Sequence, residues 1–283
     1  MYKKPCTQRH YASEQYLLPA DEVETNRLDY QHLFTFKTFE NRLSIAPIDL
    51  KSGDRVLESA AGTGIWAIDF FEENRKNDVL LDIECIDICD KQFRKNRPFG
   101  VHFSIHSVTD LPAEWSSTFS YVYQRLITYA LNESLWRKSL SELFRVLLPG
   151  GWVELMEVES QTYHIHVGPC STKLQSLIFE TLARKGVIMN LAQHLSAVLK
   201  TIGFVDIQCE ARQVRIGRSG EKVYRSSDFA NFVRGLKRDV VKNGMNGTEE
   251  EYEDLVRGAE REWDNSDANK ASFTIFTILA RKP

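Results

Sequence analysis

The sequence predicts an α/β fold with a doubly wound, mostly parallel sheet, and three features carry that prediction. Short apolar runs alternate with amphipathic segments of helical length between residues 54 and 157, which is typical of parallel strands joined by helices. A turn of small residues, Ala60 to Gly64, joins the first apolar run to the first helix. The second run ends on an acid, Asp87. We expect the ligand site of such a sheet at the carboxyl ends of its strands.

The N-terminal half predicts an arm followed by five strands. Apolar residues at helical spacing predict a helical arm over residues 20–45, which Pro47 ends because proline has no N–H to donate. Apolar runs predict strands at about 54–59, 80–88, 101–105, 119–125 and 152–157. Helices are predicted at about 63–74 and over Leu135–Leu148, the second stopped by Pro149 and Gly150.

The C-terminal half predicts more helices and two closing strands. Helices are expected near residues 171–185 and 190–202, and a charged helical segment over 226–264. Between and after them, Val205–Arg215 and Thr274–Ala280 alternate like an antiparallel pair that closes the sheet.

Composition limits the functions open to the chain. At 283 residues, with 42% hydrophobic residues, it can form one large domain with an elaborated cap. The net charge of −3 predicts no attraction to nucleic acid, and no apolar run approaches the roughly 20 residues of a membrane span. The five cysteines are scattered, and the first residues lack the apolar core of a secretory signal. We therefore expect a cytoplasmic protein with reduced thiols.

The turn and the acid together predict an adenosine cofactor. Gly62 to Ala67 fits the pattern G-x-G-x-x-[G/A], which is weak alone. Asp87 follows at about the roughly 20-residue interval expected for a carboxylate that binds ribose hydroxyls. These residues leave both NAD and S-adenosylmethionine open. Glu58 favours the second, because a carboxylate just before the turn could face a cationic cofactor tail.

Several motifs resemble those of class I S-adenosylmethionine-dependent methyltransferases. Glu58-x-Ala60-x-Gly62-x-Gly64, Asp87 and the stretch Leu148 to Glu154 resemble the glycine motif, the ribose-binding acid and the turn before the fifth strand. Tyr16 to His32 and Gly62 to Phe70 look like segments of the fungal LaeA-like methyltransferases of secondary metabolism. The resemblance is clear over about residues 11–160.

The resemblance implies a seven-stranded sheet, S-adenosyl-L-methionine as cofactor, and two regions of the chain with different roles. Residues 1–45 would be an arm that closes over the cofactor, and residues 46–283 the cofactor-binding α/β domain, with helical insertions at about 160–202 and 217–270. The cofactor would contact Glu58, Ala60, Gly62, Gly64, Trp66, Asp87, Ser107, Gln124, Arg125, Tyr16, Arg27 and His32.

Two positions depart from the family pattern. Ala60 and Ala61 stand where glycine and a small residue are usual, and a methyl group at Ala60 is tolerable only if its φ is negative. His106 and Ser107 stand where an acidic pair usually binds the adenine amine. Serine can still accept that hydrogen bond, although less strongly than a carboxylate.

Catalysis needs little from the protein, because a sulfonium methyl group is already activated and transfer mainly requires an in-line nucleophile. His164 and His166, which follow the fifth strand and alternate onto one face next to Tyr163, are candidates for a general base. A metal role would lack a third ligand, so no metal site is expected.

The leading hypothesis is a methyltransferase that acts on N, O or S of a small-molecule secondary metabolite, with no nucleic-acid or membrane partner. Three alternatives stay open. One is a LaeA-like regulator that acts through protein partners. Another is an enzyme that uses the bound cofactor for a reaction other than methylation. The third is an NAD-dependent reductase, which is disfavoured by the four residues from Glu58 to Ala61 between the strand and the first glycine.

Overall fold

The computed structural model describes residues 17–220, 223–243, 245, 247–266 and 270–283. Within those residues eight strands form one sheet. Their bounds are β1 Arg55–Ser59, β2 Asp82–Asp87, β3 Val101–Ile105, β4 Phe119–Arg125, β5 Leu147–His164, β6 Val205–Gly217, β7 Val223–Arg225 and β8 Ser272–Arg281.

The strands lie in the order β3-β2-β1-β4-β5-β8-β6-β7. The first five strands of the chain pair in parallel, and β8 runs antiparallel between β5 and β6. The predicted α/β class is confirmed, but the strand count of seven is one too low. The additional strand, β7, pairs with β6 over three residues only, and so short a run shows no alternation in the sequence.

The described residues contain eight α-helices. They are α1 Glu22–Thr38, α2 Ile65–Lys76, α3 Glu133–Val146, α4 Pro169–Arg184, α5 Leu191–Ile202, α6 Ser226–Gly235, α7 Lys237–Asn243 and α8 Glu249–Asn265. The single helical segment expected over 226–264 is therefore three helices. None of these helices is long and apolar enough to cross a membrane.

The arm helix is shorter than its apolar pattern predicted. It starts at Glu22, directly after Asp21, whose carboxylate accepts the N–H of Glu24 at 3.0 Å, as is usual for a helix N-cap. It ends at Thr38, well before Pro47, because Glu40 and Asn41 adopt positive φ angles of 54° and 58°. Left-handed backbone cannot continue a right-handed helix.

β5 is three times longer than its predicted six-residue core. It extends to His164 because β8 pairs with it in antiparallel register from Trp152 opposite Arg281 to His164 opposite Ser272. Its far end reaches the C-terminal helices and the arm, which pack together in one apolar cluster that includes Leu17, Phe34 and Trp263. The long strand thus connects the parallel core with the elements that cover it.

Candidate functional site

A cavity of about 330 Å³ lies at the carboxyl ends of the parallel strands. Gly62 and Ser107, which follow β1 and β3, line it, as do Asp87 and Arg125 at the ends of β2 and β4. This is where a doubly wound sheet is expected to bind its ligand. Helix α1 covers the cavity with residues that include Leu28.

The small-residue turn after β1 has a left-handed backbone at alternate residues. The φ angles are +57° at Ala60, +57° at Gly62 and +69° at Gly64. The expectation of negative φ at Ala60 is therefore wrong, and its methyl group is held in a conformation that costs about 1–2 kcal/mol for a non-glycine residue. Strain of this kind is common where a backbone is shaped around a ligand.

The two glycines of the turn allow close packing of two different side chains. A Cβ atom added at Gly62 would lie 3.2 Å from the Leu28 side chain, so the arm packs directly on the turn. A Cβ atom at Gly64 would lie 2.3 Å from the Phe103 ring, which belongs to β3. Gly62 lines the cavity, whereas Gly64 lies outside the lining and allows the helix to pack against the sheet.

Asp87 ends β2 with its carboxylate at the cavity wall. Its Oδ2 atom accepts the N–H of Gly62 at 2.9 Å, which ties the second strand to the turn. Burial raises the pKa of Asp87, and the backbone N–H groups of Gly62, Cys89 and Ile88 act in the opposite direction.

Glu58 and Gln124 lie beneath the cavity wall rather than in it. The Oε2 atom of Glu58 accepts the N–H of Ala67 at 3.3 Å, while its buried Oε1 atom has no hydrogen-bond partner among the described residues. Burial raises the pKa of Glu58 to about 7. Gln124 accepts the hydroxyl of Ser59 at 3.0 Å, and its amide nitrogen is likewise buried without a described partner. Such unused buried polar atoms fit a polar ligand nearby.

Arg125 is held by a buried histidine of the arm. Its guanidinium donates to Nδ1 of His32 at 3.0 Å, and Nε2 of His32 lies 2.9 Å from a carboxylate oxygen of Asp69 on α2. A nitrogen that accepts from arginine carries no proton, so the ring is neutral and donates from Nε2 to Asp69. This chain of three residues joins the arm, the end of β4 and the helix after the turn.

Acid is expected to destabilise the protein through His32. Burial lowers the pKa of His32, and Arg125 adds to this, while Asp69 and Asp29 oppose it. The unfolded chain then binds the proton more readily, so the stabilising contribution is full above about pH 6.5 and is lost as pH falls through the folded pKa. Each pH unit across that window is worth at most about 1.4 kcal/mol.

The measurement is chemical denaturation between pH 7.5 and 5. We expect the wild-type chain to lose more unfolding free energy over this range than His32→Gln. The control is His102→Gln, because His102 on β3 is half exposed and pairs with Asp82 at the surface. Equal pH dependence in wild type and His32→Gln would contradict the expected role of His32.

Three other residues proposed for the cofactor have local partners. Trp66 is buried outside the cavity, stacked on Tyr123 with ring centroids 4.0 Å apart. Ser107 lines the cavity, and its hydroxyl lies 2.8 Å from that of Thr109. Arg27 also lines it, paired with Glu24 through contacts of 2.6 and 2.9 Å. The remaining residue, Tyr16, lies outside the described residues.

His164 and His166 share a face of β5 and its continuation, as their alternation indicates, but it is the outer face. Both side chains are exposed, and neither lines the cavity. The residues between and beside them, Tyr163 and Ile165, are buried instead. The geometry therefore provides no contact through which either imidazole could act as a general base on a ligand in the cavity.

Aromatic side chains form the part of the cavity that the sequence did not predict. We call this group the aromatic wall; it consists of Tyr129, Tyr163, Tyr224, Phe229, Phe232 and Phe273. All six are buried, and neighbouring rings lie 5.5–6.1 Å apart between centroids. The hydroxyl groups of Tyr129 and Tyr163 are 2.6 Å apart. The residues of the wall come from five separate elements of the fold, so no local sequence pattern predicts it.

Three buried glutamates of β5 hold the segments around the cavity. Glu157 accepts the N–H groups of Ile127 and Thr128, both of which line the cavity. Glu154 accepts N–H groups of residues 45–46 after the arm, and Glu159 accepts those of residues 191–192 at the start of α5. The acids in an otherwise apolar strand are the sequence signal that could have indicated these contacts, because a buried carboxylate needs hydrogen-bond donors.

Comparison with known proteins agrees with this geometry. Residues 56–151 match the model of a methyltransferase domain. The N-methyltransferase sirN of Leptosphaeria maculans is 29% identical over 210 residues, which cover 72% of this chain and 71% of that protein. The secondary metabolism regulator LAE1 of Hypocrea atroviridis is 26% identical over 147 residues, covering 51% of this chain and 40% of the regulator.

Among solved structures, one of a Haemonchus contortus phosphoethanolamine N-methyltransferase 2, in complex with phosphomonomethylethanolamine and S-adenosylhomocysteine, superposes with a TM-score of 0.51. Its sequence identity is 16%, and the match covers 93% of this chain and 60% of that one. At this identity the likeness shows a common fold.

Proposed function

Since the chain belongs to the class I S-adenosyl-L-methionine-dependent methyltransferases, we propose that it transfers a methyl group to a nitrogen atom of a small-molecule secondary metabolite. Likeness to N-methyltransferases of three fungi, sirN, verN and gliN, supports the choice of acceptor class. We also propose that it works in the cytoplasm, which the free thiols of the four described cysteines support.

The cofactor is S-adenosyl-L-methionine, and the residues present fit it. Asp87 would accept hydrogen bonds from the ribose hydroxyls, since its carboxylate ends β2 at the cavity wall. The unpartnered oxygen of Glu58 would face the cationic methionine end. Leu28 of the arm would cover the turn. When bound, the cofactor supplies an activated methyl group, so the protein has to exclude water and orient the acceptor.

A single observation favours nitrogen over oxygen or sulfur as the acceptor atom. Apart from Asp87, no histidine, aspartate or glutamate is among the described residues that line the cavity. Burial raises the pKa of Tyr129 to about 12, and that of Tyr163 well above its usual value. A hydroxyl or thiol acceptor is helped by a base that titrates near neutral pH. A nitrogen lone pair attacks without one.

The test is methyl transfer from trideuteromethyl S-adenosylmethionine to matched amines, alcohols and thiols built on the same fungal metabolite skeletons. Mass spectrometry of the products identifies the labelled atom. We expect label on nitrogen and formation of S-adenosylhomocysteine in equal amount. Asp87→Ala, incubated in parallel, provides the background. Transfer to oxygen or sulfur in preference to nitrogen would contradict the proposed acceptor.

A further inference from the structure

The aromatic wall determines what kind of molecule can lie beside the cofactor site. Its six rings come from the loop after β4, from β5, β7 and β8, and from α6, and all face one cavity. Flat apolar groups bind such a surface through offset or edge-to-face contacts and through loss of hydrated apolar area. The polar atoms of the wall are three tyrosine hydroxyls: those of Tyr129 and Tyr163 are bonded to each other, and that of Tyr224 is hydrogen-bonded to Arg27.

The charges along the cavity are unfavourable for a cationic acceptor. Arg125 lines it and donates to a neutral imidazole, so its positive charge is not cancelled by that partner. The carboxylate of Glu24 is engaged with Arg27. Asp87 is the only carboxylate among the described lining residues, and it belongs to the ribose position. The bound cofactor adds a sulfonium charge.

A protonated amine would therefore meet no further carboxylate among the described lining residues, because Asp87 is assigned to the ribose and the buried Glu58, whose pKa burial raises to about 7, to the methionine end. Rings of the aromatic wall would attract it by cation–π contact. That attraction is smaller than the penalty of desolvating an ammonium group, to which repulsion from Arg125 and the sulfonium adds. A neutral nitrogen avoids both costs and keeps its lone pair available for attack.

We infer that the acceptor is an uncharged molecule with a flat apolar or aromatic ring, whose nitrogen is unprotonated at neutral pH, and that the Tyr129–Tyr163 hydroxyl pair positions it. This inference rests on the proposed function. The hydrogen bond between the two hydroxyls uses only one of their protons. Lone pairs on the hydroxyl oxygens therefore remain free to accept a hydrogen bond from the N–H of the methyl acceptor. The two tyrosines are positioning residues for the nitrogen.

The chemistry balances without a base from the protein. The nitrogen lone pair forms the new N–C bond as the bond from sulfur to methyl breaks, and sulfur keeps that electron pair to become the neutral thioether of S-adenosylhomocysteine. The methylated nitrogen then releases its proton to water. Arylamines are a nitrogen class that stays unprotonated at neutral pH and keeps a lone pair able to attack.

The test compares three probes of one shape: tetrahydroquinoline, its isomer tetrahydroisoquinoline, and tetralin. At pH 7 the nitrogen of the first is neutral, that of the second is protonated, and the third has no nitrogen. Binding to the full chain saturated with S-adenosylhomocysteine is measured by ligand-observed NMR titration. We expect tetrahydroquinoline to bind about three- to tenfold more tightly than tetralin, the value of one hydrogen bond. Tetrahydroisoquinoline should bind most weakly.

Tyr129→Phe tests the hydroxyl pair without removing a ring. The substitution should lower the affinity for tetrahydroquinoline to the value measured for tetralin, and it should leave the affinity for tetralin unchanged. A general loss of packing would weaken the binding of both probes. The control is Tyr252→Phe, because Tyr252 is buried outside the cavity and donates to the carbonyl of Val233. It should change stability and leave the affinities of all three probes as they were.

Each outcome of these titrations supports or contradicts one part of the inference. Tetrahydroisoquinoline binding as tightly as its isomer would overturn the inference of a neutral nitrogen. Failure of all three probes on the saturated protein would overturn the aromatic wall as the acceptor site. Equal loss for tetrahydroquinoline and tetralin in Tyr129→Phe would overturn the positioning role. Failure of the proposed function is distinguishable, because the protein would then not bind S-adenosylhomocysteine, or would transfer methyl to oxygen or sulfur.

Discussion

Replacing Asp87 with alanine is expected to weaken binding of S-adenosylhomocysteine by roughly 10²- to 10⁴-fold. The carboxylate oxygens would accept hydrogen bonds from two ribose hydroxyls, and each charge-assisted hydrogen bond is worth about 1.5–3 kcal/mol. The variant also removes the partner of the Gly62 N–H, which lies 2.9 Å from Oδ2. Isothermal titration calorimetry on the full chain measures the change.

The opposite end of the same strand provides the matched control. Asp82 starts β2, is 41% exposed and pairs with Arg55 at the surface. Asp82→Ala should therefore leave the affinity unchanged. If Asp87→Ala bound S-adenosylhomocysteine as tightly as the wild-type chain does, the ribose would have to lie elsewhere.

Replacing Glu157 with alanine is expected to lower the free energy of unfolding by about 3 kcal/mol or more. Its carboxyl group accepts three hydrogen bonds: from the N–H of Ile127 at 3.2 Å, and from the N–H and hydroxyl of Thr128 at 2.9 and 2.7 Å. Each donor left buried without a partner costs about 1–3 kcal/mol. Urea denaturation at pH 7 measures the difference.

Glu157→Gln separates the effect of the charge on stability from the effect of the hydrogen bonds, because glutamine keeps the shape of the side chain and one acceptor oxygen but does not ionise. Burial raises the pKa of Glu157 to about 8, above the ordinary carboxylate value of the unfolded chain. The stabilising contribution of the protonated form is then full below about pH 4.5 and is lost as pH rises through about 8. Glu157→Gln should abolish that part of the pH dependence.

The neighbouring acid on β5 controls for a general effect of this strand. Glu159 accepts the N–H groups of Leu191 and Ala192, which lie outside the cavity lining. Glu159→Gln should lower stability without changing binding of an acceptor probe, whereas Glu157→Ala should change both. A stable Glu157→Ala protein with wild-type binding would show that the segment after β4 does not depend on this carboxylate.

The parallel core was predictable because its strands carry local signals. β3 and β4 have the predicted bounds, and β1 and β2 differ from them by at most two residues. Each of these strands is a short apolar run bounded by polar or small residues. The turn at Gly62 and the acid at Asp87 are likewise local, since their spacing along the chain fixes their meeting at one sheet edge.

The acceptor side of the cavity was not predictable in the same way. Alternation indicated that His164 and His166 share a face, but only packing against α4, α6 and β8 decides that Tyr163, not the histidines, points inward. Tyr129 and Phe273 are 144 positions apart in the sequence and meet only in the folded chain. Long-range contacts of this kind leave no periodic trace.

Whether the cavity binds S-adenosylmethionine is measured most directly by calorimetric titration of the full wild-type chain with S-adenosylhomocysteine and, separately, with NAD. We expect saturable binding of S-adenosylhomocysteine at one site. Unfolding measured in its presence at a hundredfold its Kd should then cost about 2.7 kcal/mol more. NAD should neither bind nor stabilise. Binding of NAD without binding of S-adenosylhomocysteine would contradict the assignment of this cavity.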